Sequence, residues 1–230
     1  MISSMQKLKI QSAIVIGATG LVGQSLVQLL LQLPECEKIT LVVRRQQPQY
    51  QNYNQVQQLV LDDFLLLNEE DVSQHTHAFS CLGTTLKQAG SRQAFYNIDY
   101  GINMHFAELL QDKHIHYLLI SAAGASASSR IFYNRVKGEL ERDVQAFNLD
   151  TISILRPSLL IGERNQQRFF EGLGQKLFYC TEPFLPKKYR YKPVTVAQVA
   201  KTMVSAAMLQ TEHIRIYNNL DIQNIIWSTK

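Results

Sequence analysis

The chain is poor in cysteine, with only Cys36, Cys81 and Cys180 among 230 residues. Three thiols, odd in number and far apart, lay out no disulfide framework; the expectation is reduced thiols in a cytoplasmic protein. No apolar run reaches the roughly 18 residues that a membrane span needs, so no membrane association is expected. Residues 1–7 carry no long apolar stretch before their first charge, which argues against a secretory leader. Charge of one sign is also scarce. A net +4 does not forecast nucleic-acid binding, although it is compatible with an anionic cofactor. Metal-ligand spacing is missing as well: His75-x-His77 and His114-x-His116 have no Cys, Asp or Glu to complete a set and read as surface or capping residues. The chain does have apolar residues, 46% of the total. That is enough for a large core in a single domain over 1–230.

Apolar runs alternate with helical patterns, the signature of an α/β fold with a parallel sheet covered on both faces. Strands are expected at 10–16, 38–43, 58–61, 77–81, 117–121 and 151–155, with a late one near 213–217. Helices are expected at 21–33, 92–110, 133–147 and 195–208. Thr195 stands three residues before Gln198, the spacing of a capping box. Residues 46–58 are rich in Gln, Asn and Tyr and read as a polar connection. The stretch 156–195 reads as a small, irregular, substrate-side lobe interrupting the sheet. Within it Arg164 and Arg168 lie where substrate contacts would sit. The basic, aromatic run Lys187 to Lys192 is either an anion-binding surface or a solvated loop.

The most informative segment is Gly17-Ala18-Thr19-Gly20-Leu21-Val22-Gly23, directly after the apolar run Ala13 to Ile16. A strand, a glycine turn and a helix start present free backbone N–H groups and the positive end of a helix dipole to a phosphate. Gly17 permits the tight turn, Gly20 lets a pyrophosphate approach the backbone, and Gly23 lets the helix pack closely. The spacing is G-x-x-G-x-x-G, a variant of the standard dinucleotide fingerprint. The bland alternative is a plain strand-to-helix turn.

A second motif is Tyr133-x-x-x-Lys137 on a predicted helix. Positions i and i+4 share a face, so phenol and ammonium converge. A nearby ammonium favours phenolate and is expected to lower the tyrosine pKa, suiting it to exchange a proton with a carbonyl or alcohol oxygen. By itself the motif is weak, and a surface Tyr and Lys on an amphipathic helix is its rival. It gains weight from following the strand that ends at Ser121, a hydroxyl that can donate to the same oxygen. The next strand-end pattern concerns cofactor choice. The strand 38–43 ends in Arg44-Arg45 where an acidic residue would favour NAD; arginines suit the 2′-phosphate of NADP. NADP(H) is therefore favoured over NAD(H), the alternative being that these arginines merely face solvent.

Together with Cys81-Leu82-Gly83-Thr84-Thr85, Lys87 with Ala89-Gly90, Ile98-Asp99-Tyr100, the segment Tyr133 to Glu139, and Leu155-Arg156-Pro157-Ser158, these motifs resemble an atypical short-chain dehydrogenase/reductase. The subgroup they look like is the Tat-interacting-protein-like oxidoreductases. The resemblance runs from Ile14 to about Met208. It implies a Rossmann-like doubly wound sheet with the small C-terminal lobe, and a catalytic set of Ser121, Tyr133 and Lys137. Tyr133 would handle the proton, Lys137 would hold the nicotinamide ribose, and Ser121 would orient the substrate oxygen. Relatives often carry two adjacent serines where this chain has Ser121-Ala122, and Asp99 stands where many carry a structural Asn.

Cofactor contacts are expected from Gly17, Thr19, Gly20, Leu21, Val22 and Gly23, from Arg44 and Arg45, and from Tyr133 and Lys137. By resemblance Asp63 and Phe64 would meet the adenine, and Cys81, Leu82, Gly83 and Thr84 would line the cofactor by their backbone. Cys81 has no histidine placed to activate it and reads as packing. The implied activity is an NADP(H)-dependent oxidoreductase acting on a small-molecule carbonyl or alcohol. The alternatives are a cofactor-binding regulatory or scaffold protein, and an epimerase or isomerase with tightly held nicotinamide. By analogy helices 92–110 and 133–147 would form a homodimer face; a monomer is equally compatible.

Overall fold

Five of the central strands are near-continuous apolar runs because both faces of a parallel sheet are covered. The computed structural model describes residues 9–161 and 191–225. Among these the chain runs β1 (Ser12–Ile16), α1 (Leu21–Leu31), β2 (Lys38–Val43), β3 (Val56–Val60), α2 (Glu69–Ser73), β4 (His77–Ser80), α3 (Leu86–Ala89) and α4 (Arg92–Tyr96). It continues through α5 (Asn103–Glu108), β5 (His116–Ile120), α6 (Phe132–Val144), β6 (Thr151–Arg156), β7 (Leu160–Ile161), β8 (Val194–Thr195), α7 (Val196–Leu209), β9 (Ile214–Asn218) and α8 (Asn219–Gln223). Seven strands form one sheet in the order β3-β2-β1-β4-β5-β6-β9, every neighbouring pair parallel. This is the Rossmann-like doubly wound arrangement. Strand order reverses between β1 and β4, and the crevice beyond their carboxyl ends is where such sheets bind ligands.

Alternation along each strand sends side chains to two cores. Ala13, Val15, Leu41, Phe79 and Leu118 pack under α1 and α7 with Leu26, Leu30 and Met203. Ile14, Ile16, Val42, Tyr117 and Leu119 pack on the other face with Phe106, Leu140 and Val144. Thr195 caps α7 with the expected reciprocal partner Gln198. No helix of the described residues is long and apolar enough to cross a membrane. Beyond β6, β7 and β8 form a separate two-stranded pair, and β9 returns beside β6. Arg164, Arg168, Cys180 and residues 187–190 of the basic run lie outside the described residues.

Two expectations need correction. The helix expected over 92–110 is interrupted by a π-helical turn at Asn97–Ile102, between α4 and α5. A π-turn displaces backbone carbonyls from the regular ladder. Here the Asn103 amide donates to the carbonyls of Asp99 (3.0 Å) and Ile98 (3.3 Å), while the Ser80 hydroxyl donates to Asn103 Oδ1. The histidines are also not surface residues. His75, His77 and His116 are buried; only His114 faces solvent fully. His75 Nε2 meets Thr40 Oγ1 at 2.8 Å, His77 Nε2 meets the Ala207 carbonyl at 3.2 Å, and His116 Nε2 meets Ser153 Oγ at 2.8 Å. Partners distant in the sequence made burial possible: Thr40 on β2, a carbonyl of α7, and Ser153 on the neighbouring strand β6.

Burial pushes His77 down to about 4 and His116 down to about 3, the latter helped by the neighbouring His77 ring. Both imidazoles are neutral in the folded protein. Below the ordinary value of 6.5 the unfolded chain takes up protons that the folded one refuses. Their contribution to stability is therefore complete above pH 6.5 and is lost as pH falls towards 4. Urea midpoints measured across that window should fall with acid, and His77→Gln should flatten the decline. Identical slopes for the two proteins would contradict this.

Candidate active site

The glycine turn sits where two backbones nearly touch. Gly17 has φ +76°, and a Cβ there would stand 2.5 Å from the carbonyl carbon of Cys81 and the nitrogen of Leu82. A Cβ on Gly23 would stand 2.2 Å from the Gly17 carbonyl oxygen. These two glycines are demanded by the protein's own packing, although Gly23 packs α1 against the turn itself rather than against the strand. Gly20 differs. Its Cβ would meet only the Gly17 oxygen, at 3.3 Å, a close contact that a shift of a few tenths of an ångström relieves, so folding constrains this position far less than Gly17 or Gly23. Gly20 is also the N-cap of α1. It offers no side-chain cap, and the first turn has no acidic residue. The leading N–H groups thus keep their hydrogen-bonding capacity for an anion.

Beside this turn lies a cavity of about 850 Å³ at the carboxyl end of the sheet. Thr19, Gly20, Leu21 and Val22 line one end, Cys81 to Thr84 the floor, and Ser121, Tyr133 and Lys137 the far side. The structure thereby gathers all three residues of the expected catalytic set with most of the expected cofactor contacts. Gln24 and Gln88 line the cavity without having been expected to, while Ser158, Leu160 and Tyr191 come from the stretch expected to form the substrate-side lobe. The two glutamines come from separate elements, and no local motif marks them. Ser121 is 4% exposed and its Oγ has no partner within the described protein. A buried, unpaired hydroxyl facing a cavity fits a ligand oxygen.

Tyr133 and Lys137 stand one turn apart on α6, with the Tyr133 ring tilted against Phe95, 5.6 Å between centroids. Lys137 Nζ lies 2.7 Å from Asp99 Oδ1, with side chains 4% and 0% exposed. Asp99 Oδ2 accepts from the Thr84 backbone N–H at 2.8 Å. This pairing revises the expected electrostatics. Burial pushes the Tyr133 phenol up, Lys137 pulls it down and Asp99 pushes it up again, for a net rise above the ordinary tyrosine value. Lys137 itself is drawn down by burial, yet Asp99, Tyr133 and Glu141 together hold it above the ordinary lysine value. The lowered phenol expected from a Tyr–Lys pair is absent because burial outweighs the pull of the ammonium, and Asp99 adds to the rise. One turn further along α6, buried Glu141 accepts from Arg156 Nε through both oxygens, 3.1 Å each. That contact ties the helix to the end of β6.

The residues expected to meet the adenine and its 2′-phosphate, Arg44, Arg45, Asp63 and Phe64, do not line the cavity. Arg44 and Arg45 are exposed beyond β2, and neither is in an ion pair among the described residues. The Arg44 guanidinium lies over the Phe64 ring, 5.8 Å from its centroid. Asp63 is exposed, and its Oδ1 caps a short turn by accepting from the Leu65 N–H at 3.0 Å. Cys81 contacts Met203, Sγ to Sδ 3.8 Å, and burial raises its thiol well above the ordinary value. It is packing, as expected.

A cavity so built, at the switch point of a doubly wound parallel sheet, defines the NAD(P)-binding fold of the short-chain dehydrogenase/reductase class. Comparison with known proteins narrows this. Residues 12–95 match the family described as "Semialdehyde dehydrogenase, NAD binding domain". The chain is 33% identical over 201 residues to "Protein FMP52-1, mitochondrial" of Scheffersomyces stipitis, covering 85% of this chain and 88% of that one. It is 33% identical over 211 residues to "Protein HTATIP2" of Rattus norvegicus, covering 90% and 86%. Among solved structures, "MoeE5 in complex with UDP-glucose and NAD" superposes with a TM-score of 0.68 over 89% of this chain and 74% of that one, at 14% identity, a likeness of fold. The chain belongs to the family of the HTATIP2 and FMP52 proteins, atypical short-chain dehydrogenase/reductases. The cytoplasmic expectation is corrected here, because FMP52 relatives from three yeasts are named as mitochondrial. Unpaired thiols separate reducing from oxidising compartments; they do not separate one reducing compartment from another.

The different demands on the glycines can be checked by urea unfolding. Gly23→Ala should cost about 1–3 kcal/mol through overpacking. Gly20→Ala should cost less than about 1 kcal/mol, the scale of an N-cap exchange. Equal losses would mean that Gly20 is retained for folding rather than for a ligand.

Proposed function

We propose that the protein is an NADP(H)-dependent oxidoreductase that interconverts a carbonyl and an alcohol in this cavity. The observation that carries the reading is the convergence on one cavity of an uncapped, glycine-opened helix terminus and the Ser121, Tyr133, Lys137 set. When bound, the nicotinamide exchanges the hydride. The chain's own residues do the remainder. The N–H groups of Leu21, Val22 and Gly23 hold the pyrophosphate, with Thr19 beside them. The backbone of Cys81 to Thr84 lines the dinucleotide, Asp63 and Phe64 flank the adenine, and Lys137 holds the ribose. The unpaired Ser121 Oγ donates to the substrate oxygen and orients it. Tyr133 Oη gives its proton to that oxygen in reduction and recovers it in oxidation.

The NADP(H) preference is supported by Arg44 and Arg45, exposed at the end of β2 and paired with no carboxylate among the described residues. Stacking on Phe64 limits the orientations open to the Arg44 fork. A panel of aldehydes and ketones incubated with NADPH tests the activity. With a substrate so found, Tyr133→Phe should lower turnover at least ~100-fold while NADPH affinity stays within about threefold. Unchanged turnover removes Tyr133 from the chemistry. Replacing both arginines, Arg44→Glu with Arg45→Ser, should shift the NADPH-to-NADH ratio of kcat/KM towards NADH by about tenfold or more, from loss of charge-assisted contacts. An unchanged ratio would return these side chains to solvent.

A further inference from the structure

The buried ion pair between α6 and the π-turn has a use that neither partner has alone. A lysine one turn from a tyrosine normally favours phenolate. Here the lysine is met at 2.7 Å by a carboxylate that is wholly buried. That carboxylate is not free to swing away. Its second oxygen is engaged by the Thr84 N–H, and its backbone belongs to a π-turn held by Asn103. We propose that Asp99 is a positioning residue that holds Lys137 in a neutral pair, keeps Tyr133 a proton donor, and so sets the site for carbonyl reduction over alcohol oxidation. The direction of turnover rests on the function proposed above; the charge balance does not.

Among the described residues the groups around Tyr133 are few. From its own helix it faces Lys137, and from the π-turn Asp99; Phe95 of α4 is apolar. Lys137 faces Asp99, Tyr133 and Glu141, and the charge of Glu141 is met by Arg156. The end of β5 contributes only the neutral Ser121, and the loop after β4 only neutral residues, Gly83 and Thr84. Among the described residues Asp99 is thus the charged group that offsets the pull of Lys137 on the phenol. A ribose hydroxyl held by Lys137 would share the ammonium with Asp99, and the bond from Thr84 N–H ties this pair to the loop 81–84.

The test reads the phenol directly in cofactor-free protein carrying ¹³Cζ-tyrosine, with the Tyr133 resonance assigned by its loss in Tyr133→Phe. Asp99→Asn should lower the pH at which Tyr133 ionises by about one to three units. Where a substrate is in hand, the high-pH limb of NADPH-dependent reduction should move down with it. The double variant Asp99→Asn/Lys137→Met, which removes both charges, should ionise within about half a unit of the parent, since a neutral pair contributes little net field. Should Asp99→Asn fail to fold, Lys137→Met alone serves: the uncompensated carboxylate should move Tyr133 higher. An Asp99→Asn tyrosine that ionises at or above the parent value overturns the proposal, as does a Lys137→Met tyrosine that does not rise. Absence of turnover alongside the expected phenol shift would overturn the proposed reaction and leave the charge balance standing.

Discussion

The site depends on a steric constraint, the near-contact of the turn after β1 with the chain leaving β4. Gly17 adopts a backbone conformation and a proximity to Cys81 and Leu82 that no Cβ tolerates. Closing that gap brings the uncapped end of α1 beside the loop 81–84. The same loop presents the Thr84 N–H to Asp99, and Asp99 presents its other oxygen to Lys137. The glycine-turn end of the cavity and the end that holds Tyr133 and Lys137 are thus joined through backbone contacts and one ion pair.

Electrostatics then set the character of the site. Buried ion pairs are poor stabilisers, because desolvation offsets most of their attraction, yet loss of one partner alone costs about 3–5 kcal/mol. Two such pairs flank the inner face of α6, Lys137 with Asp99 and Glu141 with Arg156. They fix the helix in rotation and translation more than they add to stability. Burial first, with Asp99 partly offsetting the pull of Lys137, holds the Tyr133 phenol above its ordinary value, which suits a donor to a carbonyl oxygen.

The parallel sheet was legible because its strands are continuous apolar runs, such as Ile39 to Val43, and helix α7 because Thr195 and Gln198 announce its start. The turn at Gly17 to Gly23 and the helix spacing of Tyr133 and Lys137 were legible because each is a local pattern. The π-turn was not: its cause is Asn103, whose amide satisfies displaced carbonyls only in the folded context, supported by Ser80 from a strand 23 residues away. The rise of the Tyr133 phenol carries no local signal either, because the burial that causes most of it and the Asp99 that adds to it belong to the folded site. His77 and His116 were misjudged for a similar reason, since their partners Ala207 and Ser153 lie far along the chain. Tertiary pairing carries no local signal.

Calorimetric titration of the purified, nucleotide-free protein with NADPH and separately with NADH tests most directly the claim that this cavity is a dinucleotide site tuned by Arg44 and Arg45. Tight binding of NADPH with weaker binding of NADH is the predicted result. Binding of neither by protein shown to be folded would contradict the account.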